Sequence, residues 1–235
     1  VYKRQIQGSH HQGSVIESEN SFIQLEGTVI EQSAYVTGSD ILPLGVIRSI
    51  DSRVRLDHVG MIRNTGHSML SSSGPLSMLE ISHLTIAANE TADGNNPFSI
   101  LSLAGAGTIN IQNSLITDSQ GADLSGASVI FSGDCNLIDD DTDWPVGTYH
   151  IGTPQLISPA GGDARQLAAS PGVDMCLQDT FAWTTEIDIE NQTAPVNENT
   201  NPQGMPGEID GLYDAGFDEV YDNFTGDLIF SDGFE

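Results

Sequence analysis

The segment MLEISHLTIAAN, residues 78–89, decides the fold prediction. Apolar and polar residues alternate at its start, where Leu79 and Ile81 are the apolar members, and Ile86 is apolar again five residues later. A period of two is typical of a β-strand that buries one face. The pattern recurs elsewhere in the chain, which indicates a repeat rather than a single isolated strand.

Four further segments align with residues 78–89. They are FIQLEGTVIEQS (22–33), RVRLDHVGMIRN (53–64), TINIQNSLITDS (108–119) and, more loosely, SVIFSGDCNLID (128–139). The predicted inward pairs are Ile23/Leu25, Val54/Leu56, Leu79/Ile81, Ile109/Ile111 and Val129/Phe131. One such unit cannot bury its apolar face alone, so we expect the units to stack at about 4.8 Å spacing. The sequence therefore predicts an all-β solenoid.

Stacking would turn equivalent positions into rows of neighbouring side chains. Arg55 and Glu80 would form an opposite-charge pair on adjacent repeats. A second row would contain Gly27, His58, His83 and Asn113, and a third Ser33, Asn64, Asn89 and Ser119. Small polar residues of this third row favour a turn at which side chains bond the backbone. VIES (15–18) matches VIEQ (29–32), which predicts the end of a preceding, truncated repeat.

These repeats resemble the right-handed parallel β-helix repeats of exported bacterial proteins, the architecture of pectate-lyase-like enzymes and many surface proteins. DCNLI (134–138), SPGVD (170–174) and DAGFDE (214–219) are similar to the closing region called choice-of-anchor Q. The resemblance implies a right-handed single-stranded parallel β-helix over residues 15–158, with an irregular acidic cap and tail over 159–235. It also implies an extracellular or outer-surface location in a Gram-negative bacterium.

The two ends of the chain have their own signatures. VYKRQ (1–5) resembles a translated sequencing adapter, so residues 1–14 are predicted to be an artefact or a truncated lead-in; ordinary sequence is the alternative. IFSDGFE (229–235) resembles an ending found on exported proteins of Gram-negative bacteria. An acidic tail whose Phe230 and Phe234 cap the last repeat is the alternative for that end.

Charge restricts the partners. The chain of 235 residues has a formal net charge of −26, with 33 acidic residues and seven Lys or Arg. Most of this charge lies after residue 138, where Arg165 is the single basic residue. Such a balance excludes a nucleic-acid binder that neutralises phosphates, and mutual repulsion favours a monomer. No apolar run is long enough for a transmembrane span.

A catalytic site is the first functional candidate. A β-helix polysaccharide lyase needs a base beside a uronate, with a metal ion that acidifies the proton to be removed. The candidates that one outer sheet face would bring together are Arg55, Asp57, His58, Glu80 and His83. A groove lined by these five would favour a lyase, whereas a flat face with Arg55 paired to Glu80 would count against it. Solvated ladder residues are the alternative interpretation.

Metal binding and a disulfide are the remaining candidates. His58 and His83 could hold a metal, but two His without a third ligand fixed by spacing favour the alternative, a pair of surface imidazoles. The predicted Ca²⁺ ligands are Asn136, Asp139, Asp140, Asp141 and Asp143, with a solvated acidic turn as the alternative. Cys135 and Cys176 are the only cysteines. An even pair in an exported chain predicts a disulfide, and two buried thiols are the alternative.

The sequence therefore favours the C-terminal part of an exported or cell-surface β-helix protein. We expect contact with a polysaccharide or cell-surface glycan, as in adhesion, without catalysis. The alternative is a polysaccharide lyase or glycoside hydrolase whose active site lies partly in N-terminal repeats absent from this sequence. Ca²⁺ is the candidate cofactor.

Overall fold

A computed structural model gives the conformation of the chain. The residues it describes are 4–7, 10–11, 14–35, 45–66, 68–91, 99–104, 106–117, 128–139, 144, 147–167 and 170–172. Within these ranges the secondary structure consists of β-strands and one short 3-10 turn, Pro159–Gly161. The described part of the chain is therefore all-β, as the sequence predicts.

Nineteen strands are present in the described part of the chain. They are β1 (Arg4–Gln7), β2 (His10–His11), β3 (Ile16–Glu19), β4 (Phe22–Glu31), β5 (Ala34–Tyr35), β6 (Gly45–Ile50), β7 (Arg53–Ile62), β8 (Thr65–Gly66), β9 (Ser68–Ser73), β10 (Ser77–Ala87), β11 (Glu90–Thr91), β12 (Ser99–Ala104), β13 (Ala106–Gln112), β14 (Leu115–Ile116), β15 (Ser128–Asp134), β16 (Leu137–Ile138), β17 (His150–Ile151), β18 (Leu156–Ser158) and β19 (Asp163–Gln166).

Three parallel sheets contain most of these strands. The first sheet joins β1, β4, β7 and β10, and continues through β13 to β17. The second joins β2, β5, β8 and β11, and the third joins β3, β6, β9 and β12. Successive strands thus visit the first, second and third sheets in turn, and each repeat pairs in parallel with the next. Parallel pairing through backbone bonds is the stacking that the repeat pattern predicts.

The predicted register is confirmed for four repeats. Ile23 pairs with Val54, Val54 with Leu79, and Leu79 with Ile109. Side chains at these inward positions pack with those of later positions, such as Ile81 and Met61, into one apolar core.

The fifth repeat is offset from its prediction by two residues. Phe131 pairs with Ile109, and Gly133 pairs with Ile111, so the predicted equivalence of Val129 and Phe131 to this pair is wrong. A Cβ at position 133 would collide with the Ile111 carbonyl oxygen, which explains why glycine stands there.

The predicted correspondence of residues 15–18 to residues 29–32 is also wrong. Ile16–Glu19 pairs with Ile47–Ile50 in the third sheet, so residues 15–18 do not correspond to 29–32. Arg4–Gln7 pairs instead with Thr28–Glu31 in the first sheet. A match over four residues cannot distinguish two strands with similar apolar and polar patterns. The backbone pairing of β1 and β3 determines which strand belongs to which sheet.

In the first sheet the chain bends at one residue per repeat, which takes the left-handed conformation inside β4, β7 and β10 and directly after β13 and β15. The equivalent positions are Gly27, His58, His83, Asn113 and Cys135, with φ from 50° to 55°. The bend divides β7 into an N-terminal arm, Arg53–Asp57, and a C-terminal arm, Val59–Ile62. We call this set of five equivalent positions the bend row.

The predicted polar turn is confirmed at the end of the C-terminal arm. Asn64 Oδ1 accepts a hydrogen bond from Ser33 N (3.1 Å), and its Nδ2 donates to Ile30 O (2.9 Å). Asn89 repeats this pattern one level along, bonding Asn64 N and Met61 O. Ser119 lies outside the described residues. We call Ser33, Asn64 and Asn89 the amide row.

The C-terminal arms of β4, β7 and β10 are buried on both faces. Their inner residues belong to the main core, whereas Val29, Ile62 and Ala87 on the outer face pack against Ala164 and Leu156. The latter two lie on the antiparallel hairpin formed by β18 and β19. The β18–β19 hairpin, which follows β17, therefore packs against the side of the first sheet.

Candidate functional site

Two imidazoles of the bend row form the centre of the candidate site. His58 and His83 lie on adjacent repeats, and their rings stack with centroids 4.3 Å apart and an interplanar angle of 14°. Their backbones adopt φ values of 50° and 51°. This conformation is uncommon outside glycine, and Asn, Asp and His are enriched in it. The bend therefore holds the two rings in parallel on neighbouring levels.

Asp57 joins the two rings. Its Oδ1 lies 3.0 Å from Nδ1 of His58 and 3.5 Å from Nδ1 of His83. The three residues, which we call the bend cluster, are only 2%, 5% and 2% exposed for Asp57, His58 and His83. A buried carboxylate needs a compensating partner. Here the two imidazole edges provide it.

Two polar side chains surround His83. Ser82 Oγ lies 3.0 Å from its Nδ1, and Asn113 Nδ2 lies 3.3 Å from its Nε2. His58 differs, because its Nε2 is buried and has no hydrogen-bond partner. The ring of His83 is thus held at both nitrogens, whereas the ring of His58 is held at one.

The electrostatics of the cluster favour an ionised carboxylate. Burial by itself would raise the pKa of Asp57. Hydrogen bonds from His58 and His83, together with the attraction of their rings, outweigh burial and hold that pKa well below its usual value.

The five predicted catalytic residues separate into two groups. Asp57, His58 and His83 converge as described, but Arg55 and Glu80 belong to a separate ion-pair group on the outer face. Arg55 and Glu80 are paired in register on adjacent repeats, as predicted, with 3.7 Å between Nε and Oε2. Glu80 makes its shorter contacts to Arg53, at 2.7 and 2.9 Å. Sequence reasoning missed Arg53 as this partner.

Two of the five predicted Ca²⁺ ligands, Asn136 and Asp139, lie in the described part of the chain. Asn136 is fully buried, and its amide bonds Ser114 N, Ile111 O and Thr148 O. Asp139 accepts a hydrogen bond from Thr117 Oγ1 (2.8 Å). Asp140, Asp141 and Asp143 lie outside the described residues, so a Ca²⁺ site there stays a prediction.

The predicted disulfide is also incompletely placed. Cys135 occupies the bend row, with φ 55°. Cys176 lies outside the described residues, so its pairing with Cys135 stays a prediction.

Comparison with known proteins identifies no relative. No family model, no curated protein and no solved structure matches this chain. Within the described residues, no helix has the length and apolar character needed to cross a membrane. The bend cluster must therefore be interpreted from its own geometry.

The surroundings of the bend cluster could have been found from sequence. Ser82 and Asn113 stand at equivalent positions to Asp57 and His58, respectively, once the repeats are aligned. The alignment places Ser82 one level from Asp57, and Asn113 one level from His83. What it does not indicate is that the cluster is buried.

Proposed function

We propose that this chain is a right-handed parallel β-helix from an exported or cell-surface bacterial protein, and that it contacts an uncharged glycan without catalysis. The order in which the strands visit the three sheets supports a β-helix. Crossovers between parallel strands are right-handed in about 98% of cases, which supports the handedness.

A five-level row of polar side chains carries the proposal of glycan contact. Gln24, Arg55, Glu80, Asn110 and Ser132 pair in register along the outer face of the first sheet, and all are exposed or half-exposed. We call them the polar ladder. Amide, guanidinium, carboxylate and hydroxyl groups at about 4.8 Å intervals provide repeated hydrogen-bond partners for the hydroxyls of an extended sugar chain.

An aromatic side chain borders this ladder. Phe22 is 53% exposed, and the Arg53 guanidinium lies 5.9 Å from its ring centroid. An exposed aromatic ring beside polar groups offers an apolar surface for the C–H face of a sugar. The high negative charge of the chain makes an uncharged glycan a better partner than a polyuronate.

The arginines argue against a lyase. Every arginine whose side chain the structure describes is ion-paired: Arg48 with Glu17, Arg53 and Arg55 with Glu80, Arg63 with Glu31, and Arg165 with Asp163. Proton abstraction requires a neutral base, and a neighbouring carboxylate stabilises the protonated guanidinium. The imidazoles of the bend cluster are buried, so a polysaccharide does not reach them.

Native gel electrophoresis through uncharged polysaccharides tests the proposal. We expect at least one of a mixed-linkage β-glucan, a galactomannan or an α-glucan to retard the chain. The double variant Gln24→Ala/Asn110→Ala should weaken this binding about tenfold, because two hydrogen-bonding groups are lost.

The double variant Glu17→Ala/Arg48→Ala is the matched control. It removes an ion pair from the third sheet and leaves the net charge unchanged. No retardation by any polysaccharide, or equal retardation of both double variants and the native chain, would overturn the proposal. Ultraviolet absorbance of unsaturated uronate products from polygalacturonate would instead support a lyase.

A further inference from the structure

We propose that the bend cluster binds a Zn²⁺ ion that joins two adjacent repeats. The ligands are Asp57 Oδ1, His58 Nδ1 and His83 Nδ1. Asp57 and His58 belong to β7, and His83 belongs to β10. The inference is independent of glycan contact, because it concerns buried residues rather than the outer face.

The spacing of the donor atoms fits a tetrahedral ion. Zn²⁺ bonds of 2.0–2.1 Å place neighbouring ligand atoms of a tetrahedron about 3.3–3.4 Å apart. The oxygen of Asp57 lies 3.0 and 3.5 Å from the two nitrogens, which brackets that value. One donor atom from each of the three residues lies within 4.8 Å of the others. The two rings are stacked, so at least one imidazole must also rotate about its Cβ–Cγ bond before both Nδ1 atoms point at one ion.

An unused polar atom provides a second, independent observation. Asp57 Oδ2 is buried and has no hydrogen-bond partner. Buried polar groups are nearly always satisfied, so an exception calls for a missing ligand or a functional role. A cation bound by the carboxylate would neutralise its buried charge. Oδ2 or a water molecule would then complete the fourth position.

The donor set selects the kind of ion. Two imidazoles and one carboxylate suit Zn²⁺ and other late first-row divalent ions. Ca²⁺ and Mg²⁺ prefer six or more oxygen ligands, which the cluster does not provide. The cluster is therefore chemically distinct from the predicted acidic Ca²⁺ site.

The neighbours of the cluster can orient a coordinating ring. When Nδ1 of His83 binds the ion, its Nε2 carries the proton and must find an acceptor. Asn113 lies 3.3 Å from Nε2, and rotation of its amide by half a turn presents Oδ1 to that proton. Burial of all three ligands indicates a structural ion, which would fix the bend of one repeat against the next.

Zn²⁺ retention and thermal stability test the inference. The chain, without an affinity tag, is dialysed against EDTA and then against buffer, supplied with ZnCl₂ and desalted. We expect one Zn²⁺ per chain by elemental mass spectrometry. With free Zn²⁺ a hundredfold above its dissociation constant, the melting temperature should rise by roughly 5–10 °C. CaCl₂ and MgCl₂ at the same concentration should give no comparable rise.

The variant His58→Asn/His83→Asn keeps the backbone conformation and removes the two imidazole ligands. Asn is suited to the left-handed conformation, and the chain itself has Asn113 in this row. The variant should retain no Zn²⁺, whereas His150→Asn, which changes an imidazole outside the cluster, should retain it. Equal retention in both variants, or no retention by the native chain, would overturn the inference.

A spectroscopic measurement on the native chain tests the site without relying on a variant that could misfold. Co²⁺ supplied in place of Zn²⁺ should give the intense visible absorption bands of a four-coordinate site. Weak bands typical of six-coordinate Co²⁺ would contradict a bend-cluster site, even if metal is retained.

Discussion

The amide row and the bend row occupy two turns of the same repeats, yet they use their side chains differently. In the amide row, each Asn completes backbone groups of the neighbouring repeat: Asn64 bonds Ser33 N and Ile30 O, and Asn89 bonds Asn64 N and Met61 O. In the bend row, His58 and His83 contact the side chains of Asp57, Ser82 and Asn113.

The difference separates a structural ladder from a candidate binding site. Asn64 is fully buried and uses both its oxygen and its nitrogen. The bend cluster is nearly as buried, but it keeps polar atoms at Asp57 and His58 without hydrogen-bond partners. Burial alone therefore does not identify function. What indicates a binding site is a buried polar atom that has no hydrogen-bond partner within the fold.

Breaking the amide row should give the largest effect. Asn64→Ala leaves Ser33 N, Ile30 O and Asn89 Oδ1 without this partner inside the protein. We expect the free energy of unfolding to fall by about 4 kcal/mol, because each unsatisfied buried group costs about 1–3 kcal/mol. Urea denaturation followed by circular dichroism measures this change.

Asn110→Ala is the matched control for that variant. It removes the same amide from a half-exposed position on the outer face, and we expect a change within about 0.5 kcal/mol. Equal losses in the two variants would show that the amide row does not hold the repeats together.

The sequence was sufficient for the register of four repeats, and the reason is visible in particular residues. Ile23, Val54, Leu79 and Ile109 all begin an alternating pair, and the side-chain period of two fixes which face is buried. The predicted register of the fifth repeat was wrong because a shift of two residues preserves the same alternation of apolar and polar residues. The equivalence of Cys135 to Asn113 in the bend row fixes its register, but φ is not readable from the sequence.

The candidate site was only partly predictable. Alignment placed His58 beside His83, and Asp57 next to His58, but the period of two assigned Asp57 to an outward face. The left-handed residue that follows Asp57 ends the simple alternation and brings the two rings against its carboxylate. Burial of Ile62 and Ala87 by the β18–β19 hairpin was likewise hidden, because it depends on a contact between segments distant in sequence.

The bend row also ends at Cys135, which provides a second way to test what this row contributes. If Cys135 is bonded to Cys176, as the sequence predicts, the variant Cys135→Ser/Cys176→Ser should lose about 3 kcal/mol of unfolding free energy. The loss comes from the freedom that the unfolded chain regains. Mass spectrometry of a non-reduced digest should show the linked peptides, and two reactive thiols in the native chain would refute the bridge.

The smallest expected effect is that of His83→Asn, and it distinguishes the bend row from the amide row most clearly. In the presence of EDTA, His83→Asn should lower the free energy of unfolding by only about 1 kcal/mol. Asn accepts the left-handed backbone and offers an N–H toward Asp57, so most of the local hydrogen bonding survives. His83→Leu has neither property, because it removes the donor beside a buried carboxylate, and it should lose at least twice as much. If His83→Asn proves as costly as Asn64→Ala without metal, the bend cluster is a structural ladder like the amide row, and its unused atoms are not capacity reserved for an ion.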